Sequence, residues 1–470
     1  MADLLRPDLC IIGRGATGIG LALRARQRGV EVVLVDRGVP EPGDPAHGLI
    51  ARAGLLASAS RAHAIATANT VGIEAALPRP SFRSIGEHAA GLAGFAAPEH
   101  SPERLAALGV IEQRGSPAFT NHDTLTCGET TIRARRFVLA TGGHPALPAV
   151  PGLASVPFFT PDTVHAAVRK FSHLVVIGAE PAALELAQAY RRLGAQVTLV
   201  PQGPLLPGFD PELAALLAKA LASEGVDIRT GFEAVAIHKR SQGTGVEISG
   251  PDGSHETLAV SHILVANGRV PDLTGDWLLQ AGVNRHPGNP SLLLLDADGT
   301  TSNHRITAVG GAAADTQAGE AVAKGERLLD RLLGGRTKMG PATRHVATEP
   351  ALAEIGSIPK GNKPRPGFAI HRASLAENSS ARALGATSGS AKLVVSQRGQ
   401  ILGGGVVGTG AGETVALIGQ AMALGIPAAR LGRLSVPEPS TAGVLVALGR
   451  EVEAAAPADR RPGVLRRLLG

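Results

Sequence analysis

Two short glycine-containing segments carry the residue types that could hold a phosphate. The first is Gly13-Arg14-Gly15-Ala16-Thr17-Gly18, which follows the apolar run Leu9 to Ile12 and opens a helical pattern. In such a turn the first glycine permits the tight bend, and the second lets the backbone approach a pyrophosphate. The third lets helix and strand pack closely, and the helix N-terminus offers unpaired N–H groups and a positive dipole. Asp36 ends the next strand-like run, Val32 to Val35, where a carboxylate can accept from a ribose diol. With 60 glycines in 470 residues, this spacing recurs by chance about once per chain. The flanking strand, helix and acid therefore carry the argument for a dinucleotide site over a plain turn.

The second segment is Gly178-Ala179-Glu180-Pro181-Ala182-Ala183, after the apolar run Leu174 to Ile177. Its middle glycine position is Glu180, whose carboxylate would repel a phosphate and add bulk. The strand that follows ends in Val200-Pro201-Gln202, with no acid for a ribose and no arginine for a 2′-phosphate.

These turns need βαβ units to position them, and two are expected, starting about 165 residues apart. Short β segments are expected over 106–139, ending in Arg136-Phe137-Val138-Leu139 and the turn Ala140-Thr141-Gly142-Gly143. Pro145, Pro148 and Pro151 mark a stiff linker, Asp252-Gly253 a hairpin turn, and 331–345 a boundary. The C-terminal portion shows strand-like runs at Lys392 to Val395 and a helix over Glu413 to Leu424.

Bulk composition narrows the function classes. Charged residues are 18% and the net charge is +6, spread along the chain except for Arg460, Arg461, Arg466 and Arg467. No long basic block exists and aromatics are 3%, so a nucleic-acid partner is not expected. No run reaches membrane-spanning length, and a cytoplasmic location is expected. The histidines are scattered without ligand spacing, so no metal site is expected. The two cysteines, Cys10 and Cys127, form no CxxC; Cys10 sits in an apolar run and is expected to be inert core.

The ordered motifs resemble the FAD-dependent pyridine nucleotide-disulfide oxidoreductases, such as dihydrolipoamide dehydrogenase and mercuric reductase, over about residues 8–455. The matching segments are Gly13, Gly15, Gly18 with Asp36; Ala140-Thr141-Gly142; Val265-Ala266-Asn267-Gly268-Arg269-Val270-Pro271; and Thr301-Ser302-Asn303 with Ile306 to Gly310. Glu349 to Gly356 and Leu375-Ala376-Glu377-Asn378 with Arg382 are similar to the interface domain. The resemblance implies an α/β fold with two Rossmann-like dinucleotide-binding domains, the second inserted in the first, and a C-terminal α+β dimerisation domain. The expected spans are 1–150 and 275–335 for the FAD-binding domain and 151–274 for the NAD(P)-type domain. The dimerisation domain is expected over 345–455, and a basic tail over 456–470. It also implies FAD held by Gly13, Gly15, Gly18, Asp36, Thr141, Gly142 and Gly310, a cofactor-site glutamate at Glu185 that pairs with the family's lysine near the flavin, a second nucleotide site at Gly178, and a homodimer.

The chain departs from the family where the chemistry should be. Aligned through the helix, Asp44 and Leu49 occupy the positions of the family's two cysteines, and neither residue type can form a thiolate. The family's lysine near the flavin falls at Ala53, which leaves Glu185 without its expected partner. In Val436-Pro437-Glu438-Pro439, Glu438 replaces the partner-subunit histidine base, and Gly443 replaces the glutamate that supports it. The Gly-Asp that holds the ribityl chain reads Gly310-Gly311. Asp44, His47 and the partner's Glu438 are candidates for a proton-handling site in the vacated pocket; loop drift is the competing reading. The expectation is a flavin-dependent oxidoreductase passing electrons through FAD alone to a small-molecule acceptor, diaphorase- or quinone-reductase-like, with NAD(P)H binding in doubt. The alternative is a non-catalytic dimeric scaffold.

Overall fold

The computed structural model describes residues 3–38, 45–241, 243–315, 318–335, 340–359 and 367–455; of 45–49, 93, 96, 97 and 318 it describes the backbone alone. The chain divides into two compact units, one of residues 1–204 with 226–337 and one of 205–225 with 338–470.

The first unit opens with β1 (Leu9–Ile12), α1 (Ala16–Gln27) and β2 (Val32–Asp36). Two helices follow, α2 (Pro45–Ala66) and α3 (Phe82–Ala96), then β3 (Val110–Arg114) and β4 (Arg136–Leu139). Every residue of β1 is buried. A strand buried on both faces reads as a continuous apolar run, because helices cover both sides of a parallel sheet. The second βαβ unit is β5 (His173–Ile177), α4 (Pro181–Arg192) and β6 (Gln196–Val200).

Helix α5 (Pro211–Ser223) and strand β7 (His262–Val265) come next, followed by β8 (Ile306–Ala308) and α6 (Ala318–Leu332). β8 joins β4, β1, β2 and β3, in that order, in one parallel sheet. The sheet is thus completed by a strand about 170 residues after its neighbour β4. The second parallel sheet has β7 beside β5, then β6 and the short strand Asp227–Ile228. An antiparallel three-stranded sheet, Glu233–Lys239, Thr244–Ser249 and His255–Val260, shares a core with it through Val175, Ile177, Val246 and Ile248. These two parallel sheets with their helices are the two Rossmann-like domains.

The second unit is built on an antiparallel sheet of β9 (Thr343–Val346), β10 (Ala351–Gly356), β11 (Phe368–Ser374), β12 (Ser390–Ser396) and β13 (Ile401–Gly408). The order is β9-β10-β13-β12-β11. Helices α7 (Ala411–Ala423) and α8 (Gly443–Ala455) supply Val415, Ile418, Leu445 and Leu448 to its core. Helix α5 belongs to this unit although it arises in mid-chain. Its N-cap Asp210 accepts from the Leu213 N–H, and Pro211 takes the first helical position.

Two carboxylates at that helix start hold a buried cation. Lys392, 1% exposed, donates to Asp210 Oδ2 at 2.7 Å and Glu212 Oε2 at 2.9 Å. The fully buried Glu354 accepts from the Asp210 N–H at 2.7 Å and Arg344 Nη2 at 2.9 Å. Arg372 grips Glu212 with two 2.8 Å bonds. The Arg372 and Lys392 hydrogen bonds pull the Glu212 carboxyl down to about 2, while burial pushes Glu354 up to about 7.

Candidate functional site

The first glycine turn separates packing positions from an open one. Gly13 has φ +121°, and a Cβ on it would lie 2.2 Å from the Ala140 carbonyl oxygen. A Cβ on Gly18 would lie 1.9 Å from the Gly13 carbonyl oxygen. Both positions exclude any side chain, so they serve the junction of strand, helix and the 140–142 turn. Gly15 differs: it is the N-cap of α1, with extended backbone, and a Cβ there would meet nothing within 4 Å. Gly142, at φ +74°, is equally open. Next to Gly142 in the chain, the hydroxyl of Thr141 is a buried oxygen with no hydrogen-bond partner among the described residues. A buried polar atom without a partner costs about 1–3 kcal/mol, and a ligand acceptor or donor would remove that cost. The free floor at Gly15 and Gly142 and the orphan hydroxyl fit the pyrophosphate of a dinucleotide such as FAD.

Asp36, at the end of β2, is oriented by two donors. Its Oδ1 accepts from the Gly38 N–H at 3.0 Å and its Oδ2 from Arg114 Nε at 3.1 Å. Arg114 escaped notice in the sequence; it faces Asp36 only because β2 and β3 pair in parallel register. Gly310, at φ +62°, donates its N–H to Asp315 Oδ2 at 2.9 Å and backs onto Thr17 of α1. At Gly311 a Cβ would sit 2.6 Å from the Gly142 carbonyl carbon and 2.8 Å from the Gly143 nitrogen. The missing ribityl acid therefore comes with a closed space: the chain packs backbone where a side chain would start.

The second turn repeats the first with one change. Gly178 has φ +142°, and its Cβ would lie 2.1 Å from the Ala266 carbonyl oxygen. Glu180 is the N-cap of α4, with the same extended backbone as Gly15. Its side chain turns towards Gly268: Cγ is 3.6 Å and Oε1 4.0 Å from a Cβ placed on that glycine. Burial raises its carboxyl above the usual range. The third position is Ala183, fully buried. Beyond β6, Gln202 takes φ +60° and its amide donates to the Ala234 carbonyl at 3.4 Å.

Glu185 is not without a partner. Arg52 Nε lies 3.7 Å from Glu185 Oε2, and the glutamate side chain is 6% exposed. This corrects the expectation drawn from Ala53. One residue along a helix turns a side chain by about 100°, and Ala53 faces solvent while Arg52 faces α4. No residue of α2 is a cysteine. The thiols lie elsewhere: Cys10 on β1 and Cys127 on the strand Thr124–Cys127 are free and share one core cluster. Burial pushes both above the ordinary thiol range.

Asp44 lies outside the described residues, and so does the side chain of His47, whose backbone opens α2. Glu438 is exposed in the second unit. Arg269 has a role that its motif alone did not indicate. Its Nη1 binds both Asp162 oxygens at 2.8 and 2.7 Å, and its Nη2 donates to the Gly143 carbonyl. It thereby pins the 140–143 turn to the strand Arg269–Pro271 that follows Gly268. Among the described residues no helix is long and apolar enough to cross a membrane.

This geometry agrees with comparisons to known proteins. Residues 7–351 match the model of the pyridine nucleotide-disulphide oxidoreductases, and 343–448 that family's dimerisation domain. The chain is 30% identical to a mercuric reductase of Streptomyces lividans, over 91% of this chain and 92% of that one. It is also 30% identical to a dihydrolipoyl dehydrogenase of Thermus scotoductus, over 92% and 94%. An HOCl-induced flavoprotein disulfide reductase from Escherichia coli superposes with TM-score 0.78 at 20% identity, over 94% of this chain and 99% of that one, a likeness of fold. With both matched segments in the order that the glycine turns and the interface sheet require, the chain belongs to the pyridine nucleotide-disulphide oxidoreductase family.

Proposed function

We propose that this protein is an FAD-dependent oxidoreductase that moves electrons between small molecules without a protein disulfide. The observation that carries this reading is the position of its sulfur. Both thiols are packed in the core of the first unit, and burial disfavours the thiolate that exchange chemistry needs. Bound FAD would supply the two-electron redox step.

The chain's own residues would do the rest. The α1 N-terminus at Gly15 would face the pyrophosphate, the Thr141 hydroxyl would gain the partner it lacks, and Asp36 would take the ribose diol. Arg52, held by Glu185, would keep a cation on the helix that in other family members carries the cysteines. A diaphorase- or quinone-reductase-like reaction, with NAD(P)H as donor and a quinone or dye as acceptor, is the most concrete form. The dimerisation-domain match supports a homodimer as the working unit.

The test is a visible spectrum taken without oxygen. The expected result is a flavin band that bleaches on adding NADH or NADPH and returns on adding a quinone. Turnover should be unchanged after thiol alkylation under native conditions. Turnover abolished by alkylation would overturn the sulfur-free route. A colourless protein that takes up no FAD would favour a second reading, a dimeric scaffold without catalysis. The backbone closed at Gly311 and the carboxylate at Glu180 are the observations on that side.

A further inference from the structure

The two glycine turns of the first unit are internal replicas, so each is a control for the other. Gly13 and Gly178 both approach a carbonyl oxygen of the turn after the neighbouring strand, Ala140 in one case and Ala266 in the other. Gly142 and Gly268 occupy the same place in those turns, with φ +74° and +86°. In the first replica the gap between helix N-terminus and turn is clear: neither Gly15 nor Gly142 has an atom within 4 Å of its Cβ position. In the second, the same gap holds the side chain of Glu180, laid against Gly268.

We propose that Glu180 is a proton-operated gate on the second dinucleotide cleft: ionised, it bars a pyrophosphate, and neutral, it admits one. The barrier has two parts. A carboxylate at this place sits where the two phosphate charges would come, in a half-buried setting where like charges repel more strongly than in water. It also takes over the helix N-terminal field that would otherwise stabilise the phosphate. Protonation removes the charge and turns the group into a hydrogen-bond donor to phosphate oxygen.

No cation fixes Glu180 in its ionised form: among the described residues it makes no ion pair, and burial is the influence that acts on its carboxyl. The charged groups on the surrounding elements are engaged elsewhere. Arg269 is bound to Asp162, and Arg52 to Glu185 further along α4. His144 is exposed on the strand Gly143–Pro145.

The inference rests on the reading that a nicotinamide nucleotide is the electron donor, and its test needs no electron transfer. ADP-ribose carries the pyrophosphate and has no redox chemistry. Its binding to the oxidised protein is measured by calorimetry with excess FAD present, so that the first site is filled. For the wild type, affinity should rise at least about tenfold between about pH 8 and about pH 5.5. Glu180→Gln should bind with the wild type's low-pH affinity at every pH, and Glu180→Gly at least as tightly. Wild-type affinity independent of pH, or no gain at about pH 8 in either variant, would overturn the gate. A protein that binds ADP-ribose as described yet shows no bleaching by NADH leaves the gate intact and refutes the donor reading.

Discussion

The turn at Gly13 and the turn at Gly178 share a backbone and differ at the residue that caps the following helix, Gly15 in one and Glu180 in the other. Glycines pressed against carbonyl oxygens at 2.2 and 2.1 Å are kept in both, because a methyl group there would break the junction of strand and helix whatever is bound. Gly15 and Glu180 have the same extended backbone and no such constraint. The lesson is that the fold enforces its packing glycines, whereas packing leaves the helix-cap position free to change. A family turn can therefore keep its shape after the pressure to bind has changed.

The strongest way to break this comparison is to transplant the difference. Gly15→Glu should abolish FAD retention, leaving a colourless but folded protein, because the new side chain enters open space in the fold but occupies the pyrophosphate path. Absorbance of the purified variant reads this directly. Full flavin occupancy would mean that the site is misplaced.

A smaller effect tests the shared part. Gly13→Ala and Gly178→Ala should each destabilise the protein by about 3 kcal/mol or more, from backbone collision and positive φ together. Denaturant unfolding of the FAD-free protein should show similar losses for the two. A variant that unfolds like the wild type would refute the packing role of that glycine.

The smallest effect sharpens the contrast between two carboxylates. Burial raises both Glu180 and Glu354, yet Glu354 has Arg344 beside it and the Asp210 N–H upon it. With its carboxyl moved from 4.5 to about 7 in the fold, Glu354 binds a proton more tightly folded than unfolded. Its contribution to stability is whole below about pH 4.5 and is lost as pH rises towards about 7, a fall on the order of 3 kcal/mol. Melting temperatures taken across this range should drop less steeply for Glu354→Gln than for the wild type. Parallel curves would show that Glu354 does not titrate there.

Much of the architecture was legible in local pattern. The apolar run at Leu9 to Ile12, the glycine after it and the helical spacing from Ile19 mark a strand, turn and helix, and the structure has them there. The return of the same order at Leu174 announced the second βαβ unit. The site was legible in part. Gly13 and Gly18 pack tightly against backbone, Gly15 and Gly142 face open space, and the Thr141 hydroxyl has no partner among the described residues. The partner of Glu185 was misread, because an alignment counts residues while a helix turns them, and a shift of one residue exchanges Arg52 for the solvent-facing Ala53.

By itself the chain of letters determined the two turns, the lack of sulfur in the helix after the first of them, and the carboxylate at position 180. All of these depend on residue identity and on contacts within a few positions. Only the tertiary structure decided that Glu180 lies against Gly268, that Gly311 leaves no room for a side chain, and that Lys392 meets Asp210 about 180 residues away. Those outcomes depend on which distant backbones come within a few ångströms. That is set by the packing of whole sheets and helices, and no local pattern records it.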